Sequence, residues 1–502
     1  MDCVRAQNLP IYGYDRPTAP RISALAADAL RFDNAISTGE QTLSSTASLF
    51  TGTYPSTHQL RITGEKLSPD FHALSEALSR NGYTTHCINC NNPYVSAFTN
   101  LHRGFDRYTC AVSTLQHWVN KITKFLKKRK RTDLDYLEET DPGKDPQEAP
   151  GEGLAGETKP DPGWRGALTD RFRWTLTRWA DSGAARSFSH ARNLLENSDP
   201  SHPAFVYLHL METHGLYLPP HRHRNLFLPD CRGRKPWRIN QWALPHLTGA
   251  AKMDALDFQI IEGLYNGAIH YTDYLFGKFF AWLRKTGRLD NTVVVLTADH
   301  GESFGEHGIL AHGQCVYDTV VRVPLLVWGP IVESRMRGAA LPHVVQNIDL
   351  TASCLDWAGI RNDPIQTQLE GQPLPLNTTA EATRQFAISE TVRIFHRSHI
   401  RALKELNMFR LGAISVRTRT HKLIWNTTGA EEFYDLARDP GETDNLIGRD
   451  GEEIQALRKA LAPLIPKFQE SHIAAIQRLE RGEPTEEDPA VEQRLRDLGY
   501  LD

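Results

Sequence analysis

The stretch TVVVLTADHGESFGEH, residues 292–307, decides the fold. Residues 292–296 are apolar or β-branched, the composition of a buried central strand in a parallel sheet. The strand runs directly into Asp299, His300 and Gly301. In open α/β sheets, ligands bind just beyond the carboxyl ends of the strands. An Asp beside a His at that point offers a hard oxygen and an imidazole nitrogen to a divalent cation. A capped turn with a surface His is the plainer reading of this segment alone, so the rest of the chain must decide.

Outward from that stretch, several units read strand-then-helix, the pattern of a sheet with crossover helices. Residues 74–79 form an amphipathic helix end closed by Asn81-Gly82, and 84–88 read as the next strand. Residues 204–210 (AFVYLHL) are another strand, ending at Met211-Glu212-Thr213-His214. From 261 to 283 the apolar residues keep helical spacing, and Gly287 closes that helix before the strand at 292. Residues 323–328 (VPLLVW) are one more buried strand. The expected fold class is therefore α/β, a mostly parallel sheet flanked by helices.

The pattern breaks between about 115 and 200. Residues 118–126 carry an apolar helical face, with seven cations (Lys121, Lys124, Lys127, Lys128, Arg129, Lys130, Arg131) among and after it. An acidic, Pro/Gly-rich run follows at 132–166, too poor in apolar residues to order itself. The 115–200 segment is expected to be a partly disordered insertion. Its basic 118–131 segment is a candidate contact for an anionic substrate or surface. After Pro375 the character changes again, with strand-like segments at 415–425 and 433–436 and a helix at 452–461. The expected division is a catalytic unit at 1–380, a smaller α+β unit at 381–470 and a charged helical tail at 471–502.

The whole chain of 502 residues is long enough for such a division, with 40% hydrophobic and 23% charged residues. A formal net charge of −3 points away from nucleic acid as a partner. No run approaches the length of apolar residues that spans a membrane. The seven cysteines are odd in number and scattered, so they outline no disulfide framework, and Cys87 and Cys90 form a lone CxxC read as buried thiols beside a strand. A reducing, cytoplasmic setting is expected for the chain as encoded. The chain opens on Met1-Asp2-Cys3-Val4-Arg5 with neither a signal peptide nor a leading strand. An upstream segment supplying that strand is expected to raise stability and activity.

Four loop positions are candidates for one site: Asp2, Thr42 before a helix, His214 after a strand, and Asp299-His300 after another. A cation held by Asp2, Asp299 and His300 would lie near the hydroxyl of Thr42. Coordination lowers the pKa of a bound hydroxyl and makes it a nucleophile near neutral pH. Amides at the N-terminus of the helix after Thr42 would stabilise an anionic substrate.

Seven segments in order then resemble the sulfatase family of the alkaline phosphatase superfamily. They are DCVRAQNLPIYGYDRPTAPRISALAADALRFDNAIS, SLFTGTYPSTH, METHGLYLPP, TADHGESFGEHG, RVPLLVWGP, FYDLARDPGETDNL and the closing LRDLGYLD. The resemblance implies an alkaline-phosphatase-like catalytic domain with a smaller C-terminal domain, and hydrolysis of an anionic sulfate or phosphate ester. It implies that Asp2, Asp299 and His300 hold one divalent cation (Mn²⁺, Zn²⁺, Ca²⁺ or Mg²⁺), with the His ligand favouring Mn²⁺ or Zn²⁺. Arg5 matches an arginine near that site and is a candidate substrate-binding residue. His214 matches a histidine that contacts the ester oxyanion or leaving group, and His312 stands where relatives carry a substrate-binding lysine.

The departures bear on the reaction. Sulfatases make formylglycine from the Cys or Ser heading C/S-x-P-x-R; here Thr42, Ser44 and Thr46 occupy the three fixed positions. Threonine cannot give that aldehyde, because its β-carbon already carries a methyl group. The lysine and histidine after the GYxT turn are replaced by Asn89-Cys90-Asn91-Asn92, and Cys3 stands where many sulfatases have a second metal-binding Asp. A threonine beside a metal is what superfamily relatives use for phosphoryl transfer. The leading expectation is attack by Thr42 on phosphorus, aided by His214 and His312. The alternatives are a sulfuric ester hydrolase that works without formylglycine, and an inactive homologue that binds anionic glycans or lipids.

Overall fold

The computed structural model describes residues 1–90, 92–111, 181–199, 201–377, 384–391, 411–449 and 451–481. The basic segment 118–131, the acidic run 132–166 and the end of the chain from 482 lie outside the described residues. In chain order the strands are β1 (Leu30–Ile36), β2 (Thr84–Asn89), β3 (Arg107–Cys110), β4 (Ala204–His209), β5 (Val294–Thr297), β6 (Ser303–Phe304), β7 (Leu310–Ala311), β8 (Arg322–Val323), β9 (Leu325–Trp328) and β10 (Ala340–Gln346). A second group comprises β11 (Ala387–Thr391), β12 (Ala413–Arg417), β13 (His421–Asn426) and β14 (Glu431–Asp435).

The α/β class stands, and the sheets are mixed. One sheet has the order β10-β1-β9-β5, with β8 also paired to β1. The pairs β1–β10, β2–β3 and β2–β4 are parallel, whereas β9 runs antiparallel to both β1 and β5. The strand expected at 292–296 as the centre of a parallel sheet is thus β5, antiparallel to its neighbour and only partly buried. The chain between β5 and β9 turns through the Asp299 loop and comes back in the opposite direction. The strand expected at 323–328 is two pieces, because Pro324 lacks the N–H that would continue the ladder between β8 and β9.

Residues 1 and 2 join the two sheets. The Met1 amino group donates to the Thr297 carbonyl at the end of β5 (2.9 Å), and the Asp2 N–H donates to the Leu210 carbonyl just beyond β4 (2.8 Å). The long helix Ala255–Lys285 braces the same loop. Asp254 caps it, accepting from the amides of Leu256 and Asp257, an arrangement worth about 1 kcal/mol. From that helix the Tyr265 hydroxyl donates to the Cys3 carbonyl (2.7 Å) and accepts from the Arg5 amide (3.0 Å).

The four strands β11 to β14 form an antiparallel sheet within the 381–470 expected for the smaller unit. Its inner face meets the helices Glu452–Leu461 and Ile465–Arg481 through Ile414, Val416, Leu423, Phe433, Leu457 and Phe468. The last helix runs through position 470, where a charged tail was expected to begin. Ser471, His472 and Ala475 are buried because that face packs back on the fold. Among the described residues no helix is long and apolar enough to cross a membrane. All seven cysteines are free thiols, and burial pushes Cys87 and Cys90 further from ionisation.

Candidate active site

Thr42 is the first residue of the helix Thr42–Thr51, whose ten residues are all buried and which ends at Gly52 in the left-handed region (φ 70°). The helix is built from Ser44, Ser45, Ala47 and Ser48, small side chains that let it sit deep beside the sheet. Ser45 Oγ and Ser37 Oγ each donate to the Asp299 carbonyl at 2.5 Å, so the helix and the Asp299 loop are tied together. Gly301 is required next to them. A Cβ there would stand 2.2 Å from the Thr319 carbonyl oxygen.

The expected residues converge. Thr42 Oγ1 lies 3.3 Å from His300 Nε2 and 3.4 Å from Asp2 Oδ2. His300 Nδ1 faces the Gly301 carbonyl at 2.9 Å, which assigns its proton to Nδ1 and turns the Nε2 lone pair toward Thr42. His300 Nε2 is 3.7 Å from Asp2 Oδ1 and 3.6 Å from Asp299 Oδ2. Asp299 Oδ1 accepts from the amides of Cys3 and His300, whereas buried Asp299 Oδ2 accepts no hydrogen bond. Ligand atoms of Asp2, Asp299 and His300 lie within 4.8 Å of one another. Two carboxylates, one imidazole and an orphaned buried oxygen fit a divalent cation.

His312 packs on His300, and His214 packs on His312. Ring centroids are 4.3 Å apart for His300 and His312, and 5.2 Å for His214 and His312. His214 Nδ1 faces the Gly215 carbonyl at 2.7 Å. Protein acceptors hold four of the five Arg5 N–H groups. Arg5 donates to Asn8, to the Glu302 carbonyl (3.2 Å), to Glu306 (2.6 Å) and to Glu262 (3.2 Å), and lies over the Phe304 ring. Burial works against its charge, but Glu306 and Glu262 outweigh it and hold the guanidinium pKa above its usual value.

Four further residues belong to the site. His209 Nε2 donates to Asp2 Oδ2 at 2.9 Å, and Asn92 Nδ2 donates to the same oxygen at 3.1 Å. Burial opposes ionisation of Asp2, yet the His209 hydrogen bond and the neighbouring imidazoles of His214, His209 and His300 hold its carboxyl well below the usual range. Glu302 accepts from His312 Nδ1 at 2.9 Å and from the Tyr217 hydroxyl at 2.6 Å. Burial again opposes its ionisation, and His312, Tyr217 and His214 overcome it to lower the pKa. A signal for these residues did exist: a fully buried carboxylate requires donors, and polar residues adjoined every predicted loop of the site.

Residues 1–360 match the sulfatase family model, and residues 305–470 match the model for the C-terminal part of N-sulphoglucosamine sulphohydrolase. The chain belongs to the sulfatase family and is a hydrolase acting on ester bonds. It is 23% identical over 490 residues to an arylsulfatase of Clostridium perfringens, covering 92% of each chain. It is 22% identical over 463 residues to an ulvan-active sulfatase of Formosa agariphila, covering 89% of this chain and 77% of that one. Its fold is similar to that of a phosphonate monoester hydrolase from Silicibacter pomeroyi, with a TM-score of 0.63, 20% identity and 94% of each chain covered.

Proposed function

We propose that this enzyme is a metal-dependent phosphoesterase in which Thr42 is the nucleophile. The observation that carries the reading is the position of Thr42 Oγ1, 3.3 Å from His300 Nε2 and 3.4 Å from Asp2 Oδ2, at the start of a helix. Asp2, Asp299 and His300 would hold one divalent cation, which when bound would lower the pKa of the hydroxyl and offset the charge of the ester.

The protein's own groups account for the rest. His300 and Asp2 orient the hydroxyl, and the unpaired amides of the first helical turn favour the anionic oxygens of the substrate. Thr42 Oγ1 gives up its proton to solvent and forms a bond to phosphorus while the bond to the leaving alkoxide breaks. His312, held at Nδ1 by Glu302, supplies a proton to that oxygen, and His214 stabilises the non-bridging oxygens. Water then attacks phosphorus, its proton returning to His312, and the Thr42 oxygen leaves and takes a proton from solvent. Arg5, with its donors committed to Asn8, Glu262 and Glu306, acts as a positioning residue for the 302–306 loop.

The likeness to a phosphonate monoester hydrolase supports attack at phosphorus, as does the chemistry of threonine. The test is hydrolysis of matched aryl phosphate, bis-aryl phosphate and aryl sulfate esters with added Mn²⁺. Phosphorus-ester cleavage that is lost in Thr42→Ala supports the reading. Sulfate cleavage that survives Thr42→Ala overturns it in favour of a sulfatase that uses another nucleophile.

A further inference from the structure

We infer that Cys3 is a sulfur ligand of the same cation, so that the centre is a mixed oxygen, nitrogen and sulfur site selective for Zn²⁺ over Ca²⁺ and Mg²⁺. The inference rests on the cation site proposed above and adds a ligand and a metal preference to it. Cys3 is completely buried, and its thiol is directed into the carboxylate–imidazole cluster. Its Sγ lies 2.9 Å from Asp2 Oδ1 and 3.6 Å from His312 Nδ1. Two further groups whose ligand atoms all fall within 4.8 Å contain it: Cys3 with His300 and His312, and Cys3 with Asp2 and His214. Cys3 is therefore common to both groups that surround the Asp2–Asp299–His300 set.

The orphaned oxygen of Asp299 marks the place of the cation beside this thiol. Asp299 Oδ2 is buried without a hydrogen bond, although its sister oxygen accepts two. A buried carboxylate oxygen left in that state is costly unless something positive completes it. The spacing fits a small cation. Zinc bonds of about 2.0–2.3 Å place neighbouring ligand atoms of a tetrahedron roughly 3.3–3.8 Å apart. His300 Nε2 stands 3.7 Å from Asp2 Oδ1 and 3.6 Å from Asp299 Oδ2.

The sulfur decides which cation this cage prefers. Ca²⁺ and Mg²⁺ take oxygen ligands, while thiolate and imidazole suit Zn²⁺ and its neighbours. The Cys3 thiol now donates to Asp2 Oδ1. On metal binding its proton leaves to solvent, and the sulfur turns its lone pair to the cation.

Titration of the metal-free protein with Co²⁺, read by absorption and without any substrate, tests the inference. The expected spectrum has visible ligand-field bands and a near-ultraviolet thiolate-to-cobalt charge-transfer band. Cys3→Ser should abolish the charge-transfer band, retain the visible bands and weaken Zn²⁺ binding by about tenfold or more. Cys3→Asp should keep a bound cation and shift preference toward Ca²⁺. Circular dichroism of both variants confirms that they fold. A charge-transfer band that persists in Cys3→Ser, or visible bands without any such band in the parent, overturns the role of Cys3 and leaves the cation site standing. Visible bands unchanged in Asp299→Asn overturn the cation site itself, and this inference with it.

Discussion

Thr42 Oγ1 and His300 Nε2 stand 3.3 Å apart, and the Gly301 carbonyl fixes that relationship by holding the opposite ring nitrogen at 2.9 Å. The imidazole therefore meets the Thr42 hydroxyl with a lone pair. Thr42→Ala should lower phosphorus-ester turnover by on the order of 10³-fold or more, while Thr42→Ser retains a measurable part of it. Cation binding by calorimetry should survive in both variants and fail in His300→Ala. Loss of binding in Thr42→Ala would instead make the hydroxyl a structural ligand.

Gly301 permits this arrangement by having no side chain. Gly301→Ala places a Cβ 2.2 Å from the Thr319 carbonyl, so backbone must move. Destabilisation of about 1–3 kcal/mol is expected from urea unfolding, with a loss of activity larger than the loss of folded protein. An unchanged midpoint and rate would mean that the loop has slack.

Glu302 joins Tyr217 to His312 and holds the imidazole through Nδ1. Glu302→Gln should reduce kcat about 10–100-fold with little change in KM. A rise in KM as large as the fall in kcat would indicate that Glu302 supports only packing.

His58 follows the Thr42 helix and sets an acid limit on stability. The Leu60 amide donates to its Nδ1 (3.0 Å), so Nε2 carries the proton and donates to Ser48 Oγ (3.0 Å). Burial first, and the charge of Arg61 next, lower its pKa to about 3. Below the unfolded value of about 6.5 the unfolded chain therefore binds a proton that the folded protein refuses. Stability contributed by neutral His58 is present above that value and is lost as pH falls toward the folded pKa, by about 1.4 kcal/mol per unit. His58→Asn should flatten the fall seen by urea unfolding between about pH 6 and about pH 4; an unaltered slope would assign acid sensitivity elsewhere.

Lys422 is fully buried between Asp318 (3.0 Å) and Glu442 (2.8 Å), and Arg417 also meets Asp318 at 2.9 Å. Removing one partner leaves buried charge uncompensated. Lys422→Met should cost about 3–5 kcal/mol in thermal or chemical unfolding. Recovery in Lys422→Met combined with Glu442→Gln would identify the stranded Glu442 carboxylate as the cause.

Much of the site was legible because its residues stand at strand ends and a helix start, where local sequence marks the position. Asp299 and His300 follow an apolar run, and Thr42 opens a run of small helical residues. The direction of β5 was not legible, since an apolar strand carries no mark of whether its neighbour runs with it or against it. His209 and Asn92 were missed because their task is to satisfy a carboxylate some ninety or two hundred positions away, and only the fold brings them to Asp2. Arg5 was placed in the right neighbourhood, but its partners Glu262 and Glu306 became visible only with the helix and loop in three dimensions.

The C-terminal sheet touches the loop that leads to Thr42. Ser389 donates to the Ser37 carbonyl (2.6 Å), Thr391 donates to Glu40 (2.8 Å), and a bridge joins Gly39 to Glu390. The same Ser37 holds the Asp299 carbonyl. A late stretch of the polypeptide is thus a keystone for groups encoded at its beginning. A nascent chain is expected to become competent only after that stretch has emerged and closed, and a nick or deletion there is expected to abolish activity as Thr42→Ala should.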